Sequence, residues 1–332
     1  MHIFITGVAG FIGANAAGQL LASGHQVTGI DNLNDYYDPA LKKDRLQRLE
    51  GDNKFQFVTG SIQDPCVLAD LFADNGFDAV IHMAAQAGVR YSIDNPRSYL
   101  DSNLIGTFEL LEAARAHPPK HMLLASTSSA YGANTEMPYQ EVQKADHQMS
   151  FYAATKKATE SMAHSYAHLY SLPITMFRFF TVYGPWGRPD MAPIKFTRNI
   201  LNGDPIDVYN YGNMRRDFTY VDDLVQALTL LLPQAPTETP IANVADSLSP
   251  VAPFRVVNIG NNKPVELIDF ISEIENAIGK PAVQNLMEMQ AGDVPATWAD
   301  TTLLEALTGY VPRTDIKTGV KAFVDWYQDY YG

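Results

Sequence analysis

Tyr152 and Lys156 stand four residues apart in SFYAATKKATESMAHSYAHLY, a segment patterned as one long helix. Residues at that spacing share a helical face, about 5–6 Å apart at Cβ. A free tyrosine keeps its proton to a pH of about 10. A lysine ammonium one turn away stabilises the phenolate, and a second positive charge nearby lowers the value further. Such a pair can take a hydroxyl proton while a hydride leaves the same carbon. An exposed helix face carries the same two residues by chance often enough, so the rest of the chain must decide.

ITGVAGFIG is the second constellation. Gly7, Gly10 and Gly13 fit G-x-x-G-x-x-G between a strand and a helix, with Phe11 and Ile12 inside the turn. Glycines there admit a tight turn and a close approach to a pyrophosphate, and the helix N-terminus adds unpaired N–H groups. A glycine turn that only packs helix on strand reads the same way. Asp31 separates the two readings: it ends the second strand, in GIDNLN. An acid there accepts from adenosine ribose hydroxyls and repels a 2′-phosphate, which favours NAD over NADP. The third constellation is STSSAYG, residues 126–132, where a buried strand ends in four small hydroxyls with no acid or base among them.

These groups need a frame. Apolar runs predict strands at 2–6, 26–30, 55–58, 79–83, 121–126 and 174–179, with helical patterns between them such as 11–23 and 97–116. Strand–helix alternation implies a parallel sheet covered on both faces. After about residue 185 prolines and glycines become frequent, and helices are expected at 194–202, 222–232, 265–278, 301–308 and 316–330. The expected class is α/β: a Rossmann-type doubly wound parallel sheet with a smaller, interleaved C-terminal α/β substrate-binding lobe. Residues 1–184 form the first domain and 185–332 the second, with interleaved boundaries. Residues 233–254 hold five prolines and read as an exposed loop.

Composition narrows the class. A net charge of −13 over 332 residues repels nucleic acid and anionic membranes, so neither is an expected partner. The single cysteine, Cys66, permits no disulfide framework and no thiolate metal site, which suits a reducing cytoplasm. MHIFITG enters a strand directly, without the basic region of a signal peptide. No apolar run approaches the ~20 residues that span a bilayer. His164 and His168 lie four apart but lack the adjacent Glu of a zinc motif, so no metal is expected.

Together the glycine turn, Asp31, HMAAQAGV, STSSAYG and Tyr152-x-x-x-Lys156 resemble the extended short-chain dehydrogenase/reductase superfamily in its nucleotide-sugar branch. DNLNDYYDPALK, AAQAGVRYSIDNP, RFFTVYGPWGRPDMA, RRDFTYVDD, NIGNNKPVELIDFI and GDVPATWAD resemble the UDP-glucuronate 4-epimerases over nearly the whole chain. That resemblance implies NAD held by Gly7, Gly10, Phe11, Ile12, Gly13, Asp31, Asn32, Ser61, Ile62, Met83, Ala84, Ala85, Asn103, Tyr152, Lys156 and Phe179. Ser61 stands where many relatives have Asp. The resemblance implies a UDP-sugar held by Thr127, Ser128, Ser129, Thr181, Arg188, Arg216, Asp293 and, more weakly, Arg90. It also implies a homodimer paired through the helices near 97–116 and 151–170.

The hydroxyl run then has a meaning. Related dehydratases resemble T-D-E-V-Y-G at this stretch and decarboxylases T-S-E-V-Y-G, whereas here Ser128 and Ser129 replace the acids. Oxidising C4 of a glucuronate puts a ketone β to the C6 carboxylate, and such an acid loses CO2 readily. Hydroxyls donate to a carboxylate without adding like charge. Thr127 is expected to assist proton transfer at O4, and the serines with Arg188 to hold the carboxylate. Three rivals stand beside this reading: a decarboxylase forming UDP-xylose, a 4-epimerase of neutral UDP-hexoses, and an NAD-sensing protein without turnover.

Overall fold

In the computed structural model, which describes residues 1–290 and 292–332, strand and helix alternate from the first residues. β1 (His2–Thr6), α1 (Phe11–Ala22), β2 (Gln26–Asp31), α2 (Pro39–Gln47), β3 (Phe55–Thr59), α3 (Pro65–Asn75) and β4 (Ala79–His82) follow in turn. Two short helices, α4 (Tyr91–Asp94) and α5 (Pro96–Tyr99), a π-helical turn at Leu100–Ile105 and α6 (Gly106–Ala116) lead to β5 (His121–Ala125). The long α7 (Phe151–Tyr170) precedes β6 (Ile174–Phe179) and β7 (Thr181–Tyr183). Next come α8 (Ala192–Asn202), β8 (Pro205–Val208), β9 (Arg215–Tyr220) and α9 (Val221–Leu231). The chain closes with β10 (Phe254–Ile259), β11 (Pro264–Glu266), α10 (Leu267–Ile278), β12 (Val283–Leu286), β13 (Ala296–Thr297), α11 (Thr302–Thr308) and α12 (Ile316–Tyr331).

Seven parallel strands form the main sheet in the order β10-β6-β5-β4-β1-β2-β3. β4 and β5 bury every residue, as strands covered on both faces must. The order reverses between β1 and β4, which opens a crevice at their carboxyl ends. A smaller sheet, β11-β9-β13 with β7 on β9, gathers the second core around stacked Phe218 and Phe270.

Two elements depart from expectation. β10 is a seventh strand, beside β6, that the apolar pattern did not announce; the loop before it is tied down by a buried Asp246–Arg255 pair at 2.9 Å. The helix expected across 97–116 is broken by the π-helical turn. The wider turn carries Asn103 inward, where its amide bonds both the N–H and the carbonyl of Gln86 (2.8 and 3.1 Å) and reaches Thr155 at 3.0 Å.

Ser150 caps α7 by accepting from the Ala153 N–H at 3.1 Å. Tyr152, Lys156, Glu160, Ala163 and Ala167 recur at helical spacing on its buried face. Glu160 receives Arg178 from β6 through two bonds, 2.8 and 2.7 Å, and the Ser126 hydroxyl from the end of β5 at 2.6 Å. Burial alone would raise the Glu160 carboxyl; Arg178 outweighs it and holds it at about 2. Because this pKa is depressed, its stabilisation is complete above the unfolded value of about 4.3 and fades as pH falls through about 2. Arg178→Ala should cost ~3 kcal/mol at pH 7 by leaving the buried carboxylate with only the partly exposed Lys157, at 2.9 Å, as its counter-charge. In denaturant titrations the gap to wild type should narrow below pH 4.

Candidate functional site

The turn after β1 leaves no room for side chains. Gly7 has φ +70°, and a Cβ there would lie 2.7 Å from the Ala84 nitrogen; one on Gly13 would lie 2.2 Å from the Gly7 carbonyl oxygen. Loops from β1 and β4 therefore meet at the reversal point of the sheet. Gly10 caps α1 without a side-chain bond, so the helix presents N–H groups to whatever lies before it. Asp31 at the tip of β2 accepts from the Ala9 N–H at 3.1 Å and from the Leu33 N–H at 2.9 Å. A close backbone, an open helix end and an acid at the next strand tip fit a dinucleotide.

In front of this turn is a cavity of about 710 Å³. The sequence-predicted residues line it with two exceptions, Ser61 and Asn103. Ser61 turns its hydroxyl to Gln63, which itself faces the cavity. Asn103 sits wholly buried under the loop that carries Gln86, so it shapes the wall and does not form it. Lining residues that the sequence reading did not single out include Tyr36, Lys42, Asp190, Lys195 and Tyr209. Tyr36 and Lys42 lie in DNLNDYYDPALK and Asp190 in GRPDMA, stretches whose resemblance was visible but whose individual roles depend on folding.

Tyr152, Lys156 and Thr127 are 7%, 3% and 5% exposed at the cavity floor. Burial raises the Tyr152 phenol above its ordinary value, contrary to the expected lowering. A hydrogen bond with Thr127 and the charge of Arg188 pull the other way. Burial also brings the Lys156 ammonium down to about 8, with the Glu160 carboxylate resisting the fall.

The four hydroxyls divide their work. Ser126 turns inward to Glu160, while Thr127, Ser128 and Ser129 line the cavity. Thr127, in extended conformation, accepts from the Ser129 N–H at 3.1 Å and so starts the 3-10 turn Ser128–Tyr131. Thr181 faces the same space. Arg188 lines it too, paired with Asp190 at 2.6 and 3.1 Å. Farther out, Asp293 lines the cavity with Arg216, and Arg90 pairs with Asp293 at 3.5 Å and stacks over Tyr209. His164 and His168 are elsewhere and bond Ser249 and Val251 of the loop before β10.

Comparison with known proteins agrees with this geometry. The NAD dependent epimerase/dehydratase family matches residues 3–245. A probable UDP-glucuronate 4-epimerase from Rhizobium meliloti (strain 1021) is 51% identical over 100% of this chain and 98% of its own. UDP-glucuronate 4-epimerase 4 of Arabidopsis thaliana is 45% identical over 99% of this chain and 76% of its own. Among solved structures, the UDP-glucuronic acid 4-epimerase of Bacillus cereus in complex with UDP-glucuronic acid and NAD superposes with a TM-score of 0.89. It is 32% identical, and both chains are wholly covered.

Asp31→Asn keeps an acceptor and removes the charge. Titration calorimetry should show NAD weakened about tenfold or more, as for loss of a charge-assisted hydrogen bond, and its advantage over NADP reduced. An unchanged preference would remove Asp31 from cofactor choice.

Proposed function

The chain belongs to the NAD dependent epimerase/dehydratase family, and from there we infer that it inverts carbon 4 of UDP-glucuronate, reversibly giving UDP-galacturonate. One observation carries the substrate choice. Beside Tyr152 and Thr127, the cavity wall offers Ser128, Ser129 and Arg188, with no acid at the serine positions.

NAD⁺, when bound, supplies the hydride acceptor and a positive ring near the phenol. Tyr152 takes the O4 proton, with the Thr127 hydroxyl on the same cavity floor to share the transfer. Lys156 stays largely cationic below its pKa of about 8 and favours the phenolate. The flat 4-keto sugar turns about its phosphate linkage and presents its other face, and Tyr152 gives the proton back. Throughout, Ser128, Ser129 and Arg188 hold the C6 carboxylate and keep it from leaving as CO2. Arg216 grips the diphosphate and Asp293 the nucleoside ribose, which overcomes the acidic field of the chain at one place.

In this reading residues up to about 184 hold the dinucleotide and lend Thr127, Ser128 and Ser129 to the sugar, and the rest form the nucleotide-sugar-binding lobe, with β10 returning to the first sheet. Ile105 just before α6, Phe108 on it, and Phe151 and Leu169 on α7 are exposed apolar side chains that suit a homodimer packed through these helices. A lone exposed thiol, Cys66, suits a cytoplasmic enzyme. No described helix is long and apolar enough to cross a membrane.

Incubation with UDP-glucuronate and chromatography of the products should give UDP-galacturonate. A UDP-pentose alone, or no product, overturns the reading. Tyr152→Phe should lower turnover at least about a hundredfold, the scale of a lost general acid–base group; near-normal turnover takes the proton from another residue.

A further inference from the structure

Arg188 does not aim itself. It lies between β7 and α8 in a stretch without regular structure, where Trp186 has φ +66°. Arg45 fixes the backbone just before it, donating to the Trp186 and Gly187 carbonyls at 2.7 and 2.9 Å. The side chain is fixed separately. Asp190 takes the Nε and Nη2 edge at 3.1 and 2.6 Å, and Nη2 lies 3.4 Å from the Ala87 carbonyl. Among the described residues Nη1 has no hydrogen-bond partner, so one edge of the guanidinium is left to address a ligand.

Asp190 is held in turn. The Tyr36 hydroxyl donates to Asp190 Oδ2 at 3.1 Å, the same oxygen that accepts from Nη2. Tyr36 packs against Tyr91 with ring centroids 4.7 Å apart and the rings tilted by 59°, and it belongs to the loop that leaves Asp31. In that loop Asn34 accepts from the Tyr36 N–H and from Lys42 Nζ, at 3.4 and 2.8 Å. A chain of contacts thus runs from the loop after Asp31 to the guanidinium edge that Asp190 holds.

We propose that Asp190 and Tyr36 are positioning residues that set the aim of Arg188 and thereby decide how much of the 4-keto intermediate keeps its carboxylate. The inference rests on the reading that Arg188 meets the C6 carboxylate. Loss of CO2 breaks the C5–C6 bond; its electron pair becomes the C4–C5 enolate, and a proton from water adds at C5. Return of the hydride to C4 then leaves a UDP-pentose, so atoms and electrons balance without another reactant. A cation on the carboxylate opposes this step, because negative charge must leave that group as CO2 forms. A misaimed guanidinium opposes it less.

The test uses NAD-loaded enzyme and UDP-glucuronate labelled at C6, and reads labelled CO2 released per UDP-galacturonate formed. Wild type, Asp190→Asn, Tyr36→Phe and Arg188→Ala are run in parallel. The ratio should rise about tenfold or more in Asp190→Asn, the scale of a lost charge-assisted hydrogen bond, and by a smaller factor in Tyr36→Phe. A change in folding alone lowers both products together and leaves the ratio where it was. Tyr36→Phe keeps the ring against Tyr91, so it serves where Asp190→Asn does not fold. If Arg188→Ala releases CO2 while the other two keep the wild-type ratio, the inference is overturned and the carboxylate reading stands. If Arg188→Ala also keeps the wild-type ratio, both are overturned.

Discussion

Glu160 accepts two bonds from Arg178 and one from Ser126 in a region closed to water. Three elements, α7, β6 and the end of β5, are therefore referenced to one carboxylate. Such a pair contributes little net stability, because both charges lost their hydration. What it contributes is position: no shifted packing of α7 on the sheet keeps all three bonds. Once Ser126 points inward, alternation along the strand turns Thr127 the other way. One turn back along α7 lies Lys156, and one more lies Tyr152. Tyr152, the proposed base, and Thr127 are thus placed from the same anchor. The far side of Arg178 rests on the Tyr131 ring at 4.5 Å, and the Tyr131 hydroxyl passes the constraint to Asn258 of β10 at 2.7 Å.

The anchor also has an electrostatic part. Burial drives the Lys156 ammonium toward neutrality, and Glu160 is the charge that resists. A neutral lysine would do nothing for a phenolate. The same buried face that raises the tyrosine phenol therefore carries, one turn beyond the lysine, the acid that keeps the lysine charged.

Much of this was legible from residue order alone. Six of the seven strands, the glycine turn, Asp31 and the Tyr152–Lys156 face rest on local patterns, and local patterns survive folding. β10 did not show because FRVVNI places Arg255 and Asn258 inside a buried strand. Both are satisfied only once the chain folds: Asp246 of the preceding loop pairs with the arginine, and the distant Tyr139 and Asp300 carbonyls take the asparagine amide. An apolar pattern cannot register that. The π-helical turn was hidden for a related reason, since a wider turn leaves no compositional trace and only places Asn103 under the Gln86 loop. Asp190 and Tyr36 escaped because each looks like an ordinary loop residue until 154 residues of chain bring them together.

A site that inverts one carbon must hold its substrate's acid group and then let it turn. A free arginine fork would clamp a carboxylate through two parallel bonds, with an affinity that resists release. Here one carboxylate is already on that fork. Asp190 occupies Nε and Nη2 and offsets much of the guanidinium charge, while Ser128 and Ser129 provide neutral donors on the same wall. In the proposed reading the resulting grip is polar enough to keep charge on the acid group during the ketone stage. It is also weak enough to be broken and remade within a cavity of about 710 Å³. An acid in place of Ser129 would repel the substrate carboxylate, and an arginine without Asp190 would not be aimed at it. The combination of hydroxyls and a half-neutralised cation meets both demands.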